Sequence, residues 1–425
     1  GTVTVADAGG DTTTWLLLGT AQTGSLSPAT DAGLTYDATT NALTATTFVG
    51  ALAGNAATAT ALATARAINS IDFDGTAAIT VTDLDNRIIN GGFNFWQRGG
   101  ADAVARTMTD DTYNGPDRWN SLIQGANPTI VRVAATGDST CPTTYTAKLV
   151  AGGTTNRYGI EQLVKSANSV PLRGKTVIGQ CRVRTHRNAG IGTNLNMRIA
   201  ILEWTGTSDS ITSDFVNDWT SSTYTTGNFF TSVSTTLVGT SQGDGLYELW
   251  TPLSVSGTVS SSCNNLVLFI WTEDEPINAL DYVEISAVSL CEGSNVQPWK
   301  PRLDTDELLM AQQYCWKTFA IDSTPVQNFG TAGCLNYLQS IAGAVFQFTA
   351  PSVNYPVMMR ATPTITFYNQ SAANAFARNF SAGNDCTTTA AAFANDARTA
   401  ISLTPVAGTV IGNLLQVHCL AEAEL

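Results

Sequence analysis

Along much of the chain, apolar side chains recur at every second position. Val177, Gly179, Cys181 and Val183 alternate with Thr176, Ile178, Gln180 and Arg182. Arg198, Ala200, Leu202 and Trp204 alternate with Met197, Ile199 and Ile201. Period two is the repeat of a strand, whose successive side chains point to opposite faces of a sheet. Leu266–Trp271 is one bulky run, the length of a buried strand and far short of a membrane helix. Tyr282–Leu290 follows it. With Gly and Ser/Thr turns between such segments and no long helical repeat, residues 87–300 read as an antiparallel sandwich.

A helix is predicted after Pro301, with Asp304 as N-cap, Glu307 three residues on, and Leu308, Leu309 and Gln312 continuing the pattern. It is expected to be a spacer between two β domains. Beyond it, Val345–Phe348, Thr364–Tyr368 and Leu414–Leu420 are the expected strands of a C-terminal β-sandwich-like domain, residues 301–425.

Before residue 87 the pattern thins. Leu34 and Tyr36 flank Thr35, Asn41–Ala42 reads as a turn, and Leu43–Phe48 as a returning strand. Ile71 and Phe73 lead through Asp74–Gly75 to Ile79 and Val81, a second hairpin signal. Between them Asn55–Ala67 is almost wholly Ala and Thr. Stripes this thin cannot bury a core alone. Residues 1–86 are therefore expected to form a thin shaft or attachment arm of intertwined chains, with a flexible tether as the alternative.

Composition sharpens this division. Only 13% of the 425 residues are charged and 43% are hydrophobic, which disfavours disorder and coiled coil. The net charge of −13 argues against nucleic acid and anionic membrane as partners. Residues 1–86 hold eight Asp, one base (Arg66), 20 Thr and 19 Ala, whereas residues 87–425 hold 26 acids and 20 bases. The first fifth of the chain thus carries −7 of the net −13. Gly1–Gly10 contain no positive charge and no apolar run, so no secretory signal is expected.

Candidate chemistry is sparse. The eight cysteines form no C-x-x-C pair and are expected to be buried thiols, an even count leaving disulfides open. With only His186 and His418 in the chain, zinc sites and nucleophilic triads have little to build on. His186 is expected at a strand end in solvent, His418 as a packed or interface histidine. Two carboxylates could cut a glycosidic bond, and Glu203, Asp209, Asp214, Asp218, Glu248 and Glu273–Glu275 are the candidates, though each reads first as a solvated loop or turn acid.

Sugar recognition needs a flat aromatic face beside amides and carboxylates. Trp219, Tyr224 and Asp218 lie in a polar stretch with Phe229 and Phe230 and are the glycan-binding candidates; packing beneath a loop is the alternative. Trp96, Trp119 and Trp271 sit in strand-like contexts and are expected in the core. Arg182, Arg184 and Arg187 could read an acidic sugar or form a solvent face.

Several segments, in order, resemble bacteriophage tail-fibre proteins. Asn86-Arg-Ile-Ile-Asn-Gly-Gly-Phe-Asn-Phe-Trp-Gln-Arg-Gly99 resembles the opening strand of their jelly-roll module, which carbohydrate-binding modules share. Gly115-Pro-Asp-Arg-Trp119, Val170–Val177, and Glu284–Gly293 with Pro298–Pro301 are similar to later parts of that module. Glu307–Cys315 resembles the helix that follows it, and Pro356–Pro363 an element of the C-terminal domain. Phe48–Ala59 and Ile68–Gly75 look like shaft repeats. Cys291 and Trp299 depart from the pattern.

The resemblance implies a virion protein, assembled in the host cytoplasm as a homotrimer, that contacts other tail or baseplate proteins and a host-surface glycan or outer-membrane receptor. Neither nucleic acid nor membrane insertion is expected. It also implies a structural calcium near Asn90 and Asp281, although the usual adjacent acidic pair is missing, so no ligand set is assigned and no cofactor is expected. Two other functions stay open: a purely structural collar or baseplate fibre, and a capsule depolymerase.

Overall fold

The computed structural model describes residues 14–15, 30, 32–47, 66–68, 71–73, 75–76, 85–125, 128–153, 157–187, 195–245, 248–273, 279–340, 348–349, 352–392, 394–406 and 410–425. They fall into two compact units, Gly1–Ile79 and Thr80–Leu425. No helix among the described residues is long and apolar enough to cross a membrane.

In the first unit, β1 (Thr14–Trp15), β2 (Leu34–Asp37) and β3 (Ala42–Ala45) form an antiparallel sheet, and β4 (Arg66–Ile68) pairs with β5 (Ile71–Phe73). The β2–β3 turn bends at Asn41, whose φ of 57° lies in the left-handed region that Asn tolerates. The Tyr36 hydroxyl donates to Asn41 Oδ1 at 2.8 Å. No residue of β2 or β3 is buried, as the thin stripes imply. Ile79 and Val81, the foreseen partners of Ile71 and Phe73, and most of Asn55–Ala67 lie outside the described residues or have no described side chain.

The second unit opens with a sandwich. One sheet has the order β13 (Thr235–Gly245), β12 (Leu195–Trp204), β15 (Asn265–Thr272), β10 (Tyr158–Val164), β7 (Asn120–Ile123). The other runs β14 (Thr251–Thr258), β11 (Thr176–His186), β16 (Tyr282–Glu292), β9 (Tyr145–Val150), β8 (Thr129–Ala134), β6 (Arg106–Thr107). Their inward side chains, among them Ile160, Ile199, Ile201, Leu268, Val177, Val183, Leu253 and Ile285, make one core with Trp96 and Trp119. Both tryptophans and Trp271 are buried, as expected.

Asn86–Gly99 is not the opening strand of a ladder. It crosses β16 through isolated bonds, Arg87 N to Leu290 O at 2.8 Å and Val288 N to Gly91 O at 3.0 Å. A Cβ on Gly91 would stand 2.1 Å from the Val288 carbonyl oxygen, so only glycine permits this approach.

The two sheets differ on their outer faces. Leu163, Ala200, Leu202, Val267, Phe269 and Trp271 point outward from the five-stranded sheet and are covered by Ile211, Phe215, Tyr224, Phe229 and Phe230 of the segment between β12 and β13. Its strands β7, β10 and β15 are buried along their whole length. The outer face of the six-stranded sheet carries instead Lys148, Arg182, Arg184, His186, Ser254 and Glu284, and among the described residues no apolar cluster covers it.

The C-terminal lobe is a second, smaller pair of sheets. β26 (Leu414–Glu422) is its hub, pairing with β17 (Cys315–Lys317), β18 (Leu335–Leu338), β21 (Thr364–Tyr368) and β22 (Arg378–Asn379), the last paired with β23 (Asn384–Asp385). β25 (Arg398–Thr404) centres the other, with β19 (Phe348–Thr349), β20 (Val353–Asn354) and β24 (Thr388–Ala392). Ile401 and Leu403 meet Leu415, Val417 and Cys419 between them. The foreseen strands at Thr364–Tyr368 and Leu414–Leu420 are present; of Val345–Phe348, only Phe348 is described.

Besides the single turn α1 (Ser166–Ser169), the helix is α2 (Asp304–Gln312). Leu303, not Asp304, occupies its N-cap, without a side-chain cap bond. Asp304 is drawn off by Asn94, whose Nδ2 donates to it at 2.9 Å. Nor is α2 a free spacer: Ala311 packs with Ile89 and Tyr314, and Glu307 accepts from the Asn90 backbone and from Arg302. The helix clamps the chain onto the sandwich.

The seam between sandwich and lobe is polar and buried. Arg98 contacts Glu422 at 2.6 Å and Glu424 at 3.0 Å, and Arg118 contacts Glu424 and stacks 3.6 Å over Tyr314. The Lys317 ammonium donates to the Gln97 carbonyl at 2.6 Å and to Ile321 at 2.8 Å, and burial pulls its pKa down to about 8. All eight cysteines are free thiols and seven are buried.

Candidate functional site

A sheet face left open in an otherwise sealed sandwich is where a ligand can reach ordered side chains. On the six-stranded sheet this face holds three adjoining hollows that share Pro142. The widest, about 410 Å³, is lined by Thr140, Pro142, Arg182, Leu249 and Trp250. The next, about 80 Å³, runs over Gln180, Arg182, Ser254 and Gln297 to Trp299. The third, about 90 Å³, continues past Trp299 to Asn94 and Arg302. Together they form a groove with Trp250 in the first hollow and Trp299 between the second and third.

The groove is bent by a bulge. The β11–β16 register shifts between Gln180 and Arg182, and Ala287 of β16 takes a φ of 53°. Bulges bend a strand and re-aim its neighbours. Here Ala287 and Cys181 reach the groove floor beside the aimed side chain of Arg182.

Its walls are fixed by hydrogen bonds. Trp250 Nε1 donates to Asp138 Oδ2 at 3.0 Å, and Arg184 binds the same oxygen at 2.9 Å with its guanidinium 4.8 Å from the Trp250 ring. Hydrogen bonds from Thr140 and Trp250 pull the Asp138 carboxyl down to about 2, so it is ionised at any physiological pH. Arg184 also donates to Glu284 at 2.8 Å. Gln180 and Gln297 exchange two bonds, at 2.6 and 2.8 Å, which anchor the segment carrying Trp299. Arg182 is exposed.

Beyond Trp250, His186 stacks on Tyr282 with ring centres 4.8 Å apart. His186 Nδ1 and the Tyr282 hydroxyl each lie 2.8 Å from Glu248 Oε1. Those hydrogen bonds hold the Glu248 carboxyl below its ordinary value against the upward push of burial.

Of the sugar candidates, Arg182 lines the groove and Arg184 fixes its wall, while Trp219, Tyr224 and Asp218 lie elsewhere. Trp219 is half-buried and meets Phe229 and Phe269 edge-on at 5.6 and 6.1 Å. Tyr224 is buried against Phe229 and Trp271, with the Arg198 guanidinium 3.7 Å over its ring. Asp218 is exposed, and Oδ1 accepts from Thr220 N at 2.9 Å and its hydroxyl at 2.7 Å. The three therefore stand where the 205–234 segment seals the five-stranded sheet, with Trp219 and Tyr224 facing into that second core.

The carboxylates weighed for catalysis are dispersed. Glu203 accepts from Ser260 N, Asp209 from Ser166 and Asn265, Asp214 from Val216 N, and Glu273 from Arg198. Asp274 and Glu275 lie outside the described residues. Asn90 spends its amide on Phe95 and Asp117, and Asp281 sits 3.5 Å from Arg187. Among the described residues no three His, Cys, Asp or Glu side chains are grouped to hold a metal. His418 is buried, stacked on Phe319 at 4.2 Å, with Nε2 on the Gly330 carbonyl at 3.1 Å.

No protein-family model matches the sequence, and no curated protein matches it. Similar solved structures include the CBM22-1 and GH10 modules of Clostridium thermocellum endo-1,4-β-D-xylanase 10B with xylohexaose, at 14% identity over 46% of this chain and 29% of that one, TM-score 0.27. The CBM22-1 xylan-binding domain of Paenibacillus barcinonensis Xyn10C shows 10% identity over 47% and 99% of the two chains, TM-score 0.25. The enzymatically active domain of bacteriophage CBA120 tailspike protein 4 shows 8% identity over 49% and 21%, TM-score 0.28. At such scores the likeness adds nothing to the geometry of the groove.

Proposed function

We propose that the protein is a non-enzymatic glycan-binding component of a phage tail fibre, and that the groove on the six-stranded sheet is its sugar site. One observation carries this: the sandwich seals one outer face with an apolar segment and leaves the other polar, grooved and flanked by Trp250 and Trp299. A tryptophan face takes the C–H side of a sugar ring. Arg182, Ser254 and Thr140 are the polar groups for its hydroxyls, and the Arg182 charge suits an acidic sugar.

Binding at one such groove is weak, and repetition makes it useful. A homotrimer held by the arm, repeated over several fibres on a virion, sums these contacts through effective concentration. The chain thus attaches to other tail or baseplate proteins on one side and to a host-surface glycan on the other. The thin, unburied strands of the first unit support the fibre reading.

The test is a glycan array with the full-length protein, its mass measured by light scattering. A trimer that binds host polysaccharide is expected, with Trp250→Ala and Trp299→Ala each weakening binding at least tenfold without changing Tm by more than about 2 °C. An assembled trimer that binds no glycan would sink the sugar reading, and reducing ends released from the polysaccharide would sink the non-enzymatic one.

A further inference from the structure

Two cations at the groove have no side-chain partner among the described residues. Arg182 lines both the widest hollow and the one that reaches Trp299. Lys300 joins Gln297, Pro298 and Trp299 around a fourth hollow, of about 20 Å³. Both residues are exposed, and neither side chain makes a hydrogen bond or an ion pair. Long cationic side chains of this kind keep their charged heads in water, within reach of a ligand.

The sheet explains why Arg182 is left over. Its neighbours across the two flanking strands are Pro252 of β14 and Ser286 of β16, neither of which carries a charge. The next outward cation of β11, Arg184, takes Asp138 at 2.9 Å and Glu284 at 2.8 Å, and Lys148 shares Glu284 at 4.0 Å.

The other acids around the groove are engaged too. Glu307 pairs with Arg302 at 3.1 Å, Glu248 meets His186 and Tyr282, and Asp304 accepts from Asn94. Of all these acids only Glu307 lines a hollow, and Arg302 lines it beside Glu307. The lining of the four hollows therefore holds three cations, Arg182, Lys300 and Arg302, against one acid.

A neutral sugar leaves both free charges without a counter-ion. A carboxylate on a ring in the groove meets the Arg182 guanidinium through two parallel N–H···O bonds, the strong form of this pairing. Two free cations in different hollows match a chain that carries a single acid on a ring and repeats it. A heavily sulfated chain brings more charge than they neutralise.

Resting on the reading of this groove as the sugar site, we propose that its ligand is a uronate-containing polysaccharide. Arg182 binds the carboxylate of one ring and Lys300 that of another. Arg182 is thereby the specificity-determining residue, while Trp250 and Trp299 supply stacking that is blind to charge.

Calorimetric titration of the full-length protein tests this with oligosaccharides of alginate, polygalacturonate and hyaluronate, each before and after reduction of its carboxyls to alcohols. Reduction removes the charge and keeps the rings. At least one uronate chain is expected to bind at least tenfold tighter than its reduced form, and less tightly as salt is raised. Arg182→Gln should abolish both effects with its melt unchanged, and Lys300→Gln should diminish them. Equal affinity for native and reduced chains, an unaffected Arg182→Gln, or equally tight binding of dextran sulfate would overturn the assignment. Neutral chains that bind alone, and are lost in Trp250→Ala, would overturn it and keep the groove. Binding by no chain at all would overturn both.

Discussion

Glu424→Gln removes one charge and almost no volume from the seam. In the native chain Glu424 lies 3.0 Å from Arg98 and against Arg118, which also donates to the Leu163 carbonyl at 2.6 Å. Arg98 would keep Glu422 at 2.6 Å; Arg118 would keep no carboxylate. Because the Arg118 side chain is 1% exposed, water cannot replace the lost partner. Breaking one side of such a buried pair costs about 3–5 kcal/mol. The unit Thr80–Leu425 has about 350 residues, and at the usual specific entropy it unfolds with about 0.7 kcal/mol/K. If both lobes melt together, Tm falls by about 4–7 °C. Scanning calorimetry of the full chain reads this, with Glu422→Gln as the comparison. Glu422 is 34% exposed and its partner Arg98 retains Glu424, so that variant should lose less than about 2 °C. A shift below about 1 °C for Glu424→Gln, or equal shifts for both, would refute a seam held by the buried pair.

Trp219→Ala should cost about 2–4 kcal/mol in urea denaturation, because the ring packs on Phe229 and Phe269; an unchanged midpoint would return Trp219 to a ligand-facing role. Glu161 is buried with one oxygen unpartnered, and burial pushes its carboxyl well up. The native state then holds a proton that the unfolded chain releases, so stability falls as pH rises from the usual carboxyl range toward the raised value. Glu161→Gln should match the parent at pH 4 and melt several degrees higher at pH 8; parallel profiles would contradict this. Burial pulls His418 below its ordinary value, so the unfolded chain takes up the proton first and stability drops as pH falls through about 6.5, by at most about 1.4 kcal/mol per unit. His418→Gln should flatten that slope in pH-dependent melts, and an unaltered slope would assign it to another group.

Strands with clean alternation were legible as a sequence: Thr176–His186, Leu195–Trp204 and Tyr282–Glu292 all stand where period two predicts them. Thr235–Gly245 was not, since Gly and polar residues hide a strand whose one face lies at a sheet edge. The helix was legible and its cap was not, because a distant residue, Asn94, competes for Asp304. Trp219 and Tyr224 misled for a related reason. Polar neighbours in sequence suggested solvent, yet alternating residues of an irregular segment can face a core that belongs to another strand. The groove as a whole was illegible because Trp250 and Trp299 come together only through β11 and β16; the sequence hints were Arg182, weighed for an acidic sugar, and Trp299, which broke the expected pattern. The seam pairs residues some 300 positions apart, beyond any local signal.

The hub position of β26 bears on how the protein is made. Cys315 emerges from a ribosome roughly a hundred residues before Glu422, its partner in the sheet. At about 5–20 residues per second that is a wait of about 5–20 s. Through it β17, β18, β21 and β22 exist without the strand that joins them, exposing backbone edges that other chains can capture. The sandwich, complete once β16 has been synthesised, can fold earlier and tether these fragments through α2. Yields of the whole protein should therefore depend on chaperones and on translation speed across residues 315–422, and hardly at all on either before residue 300.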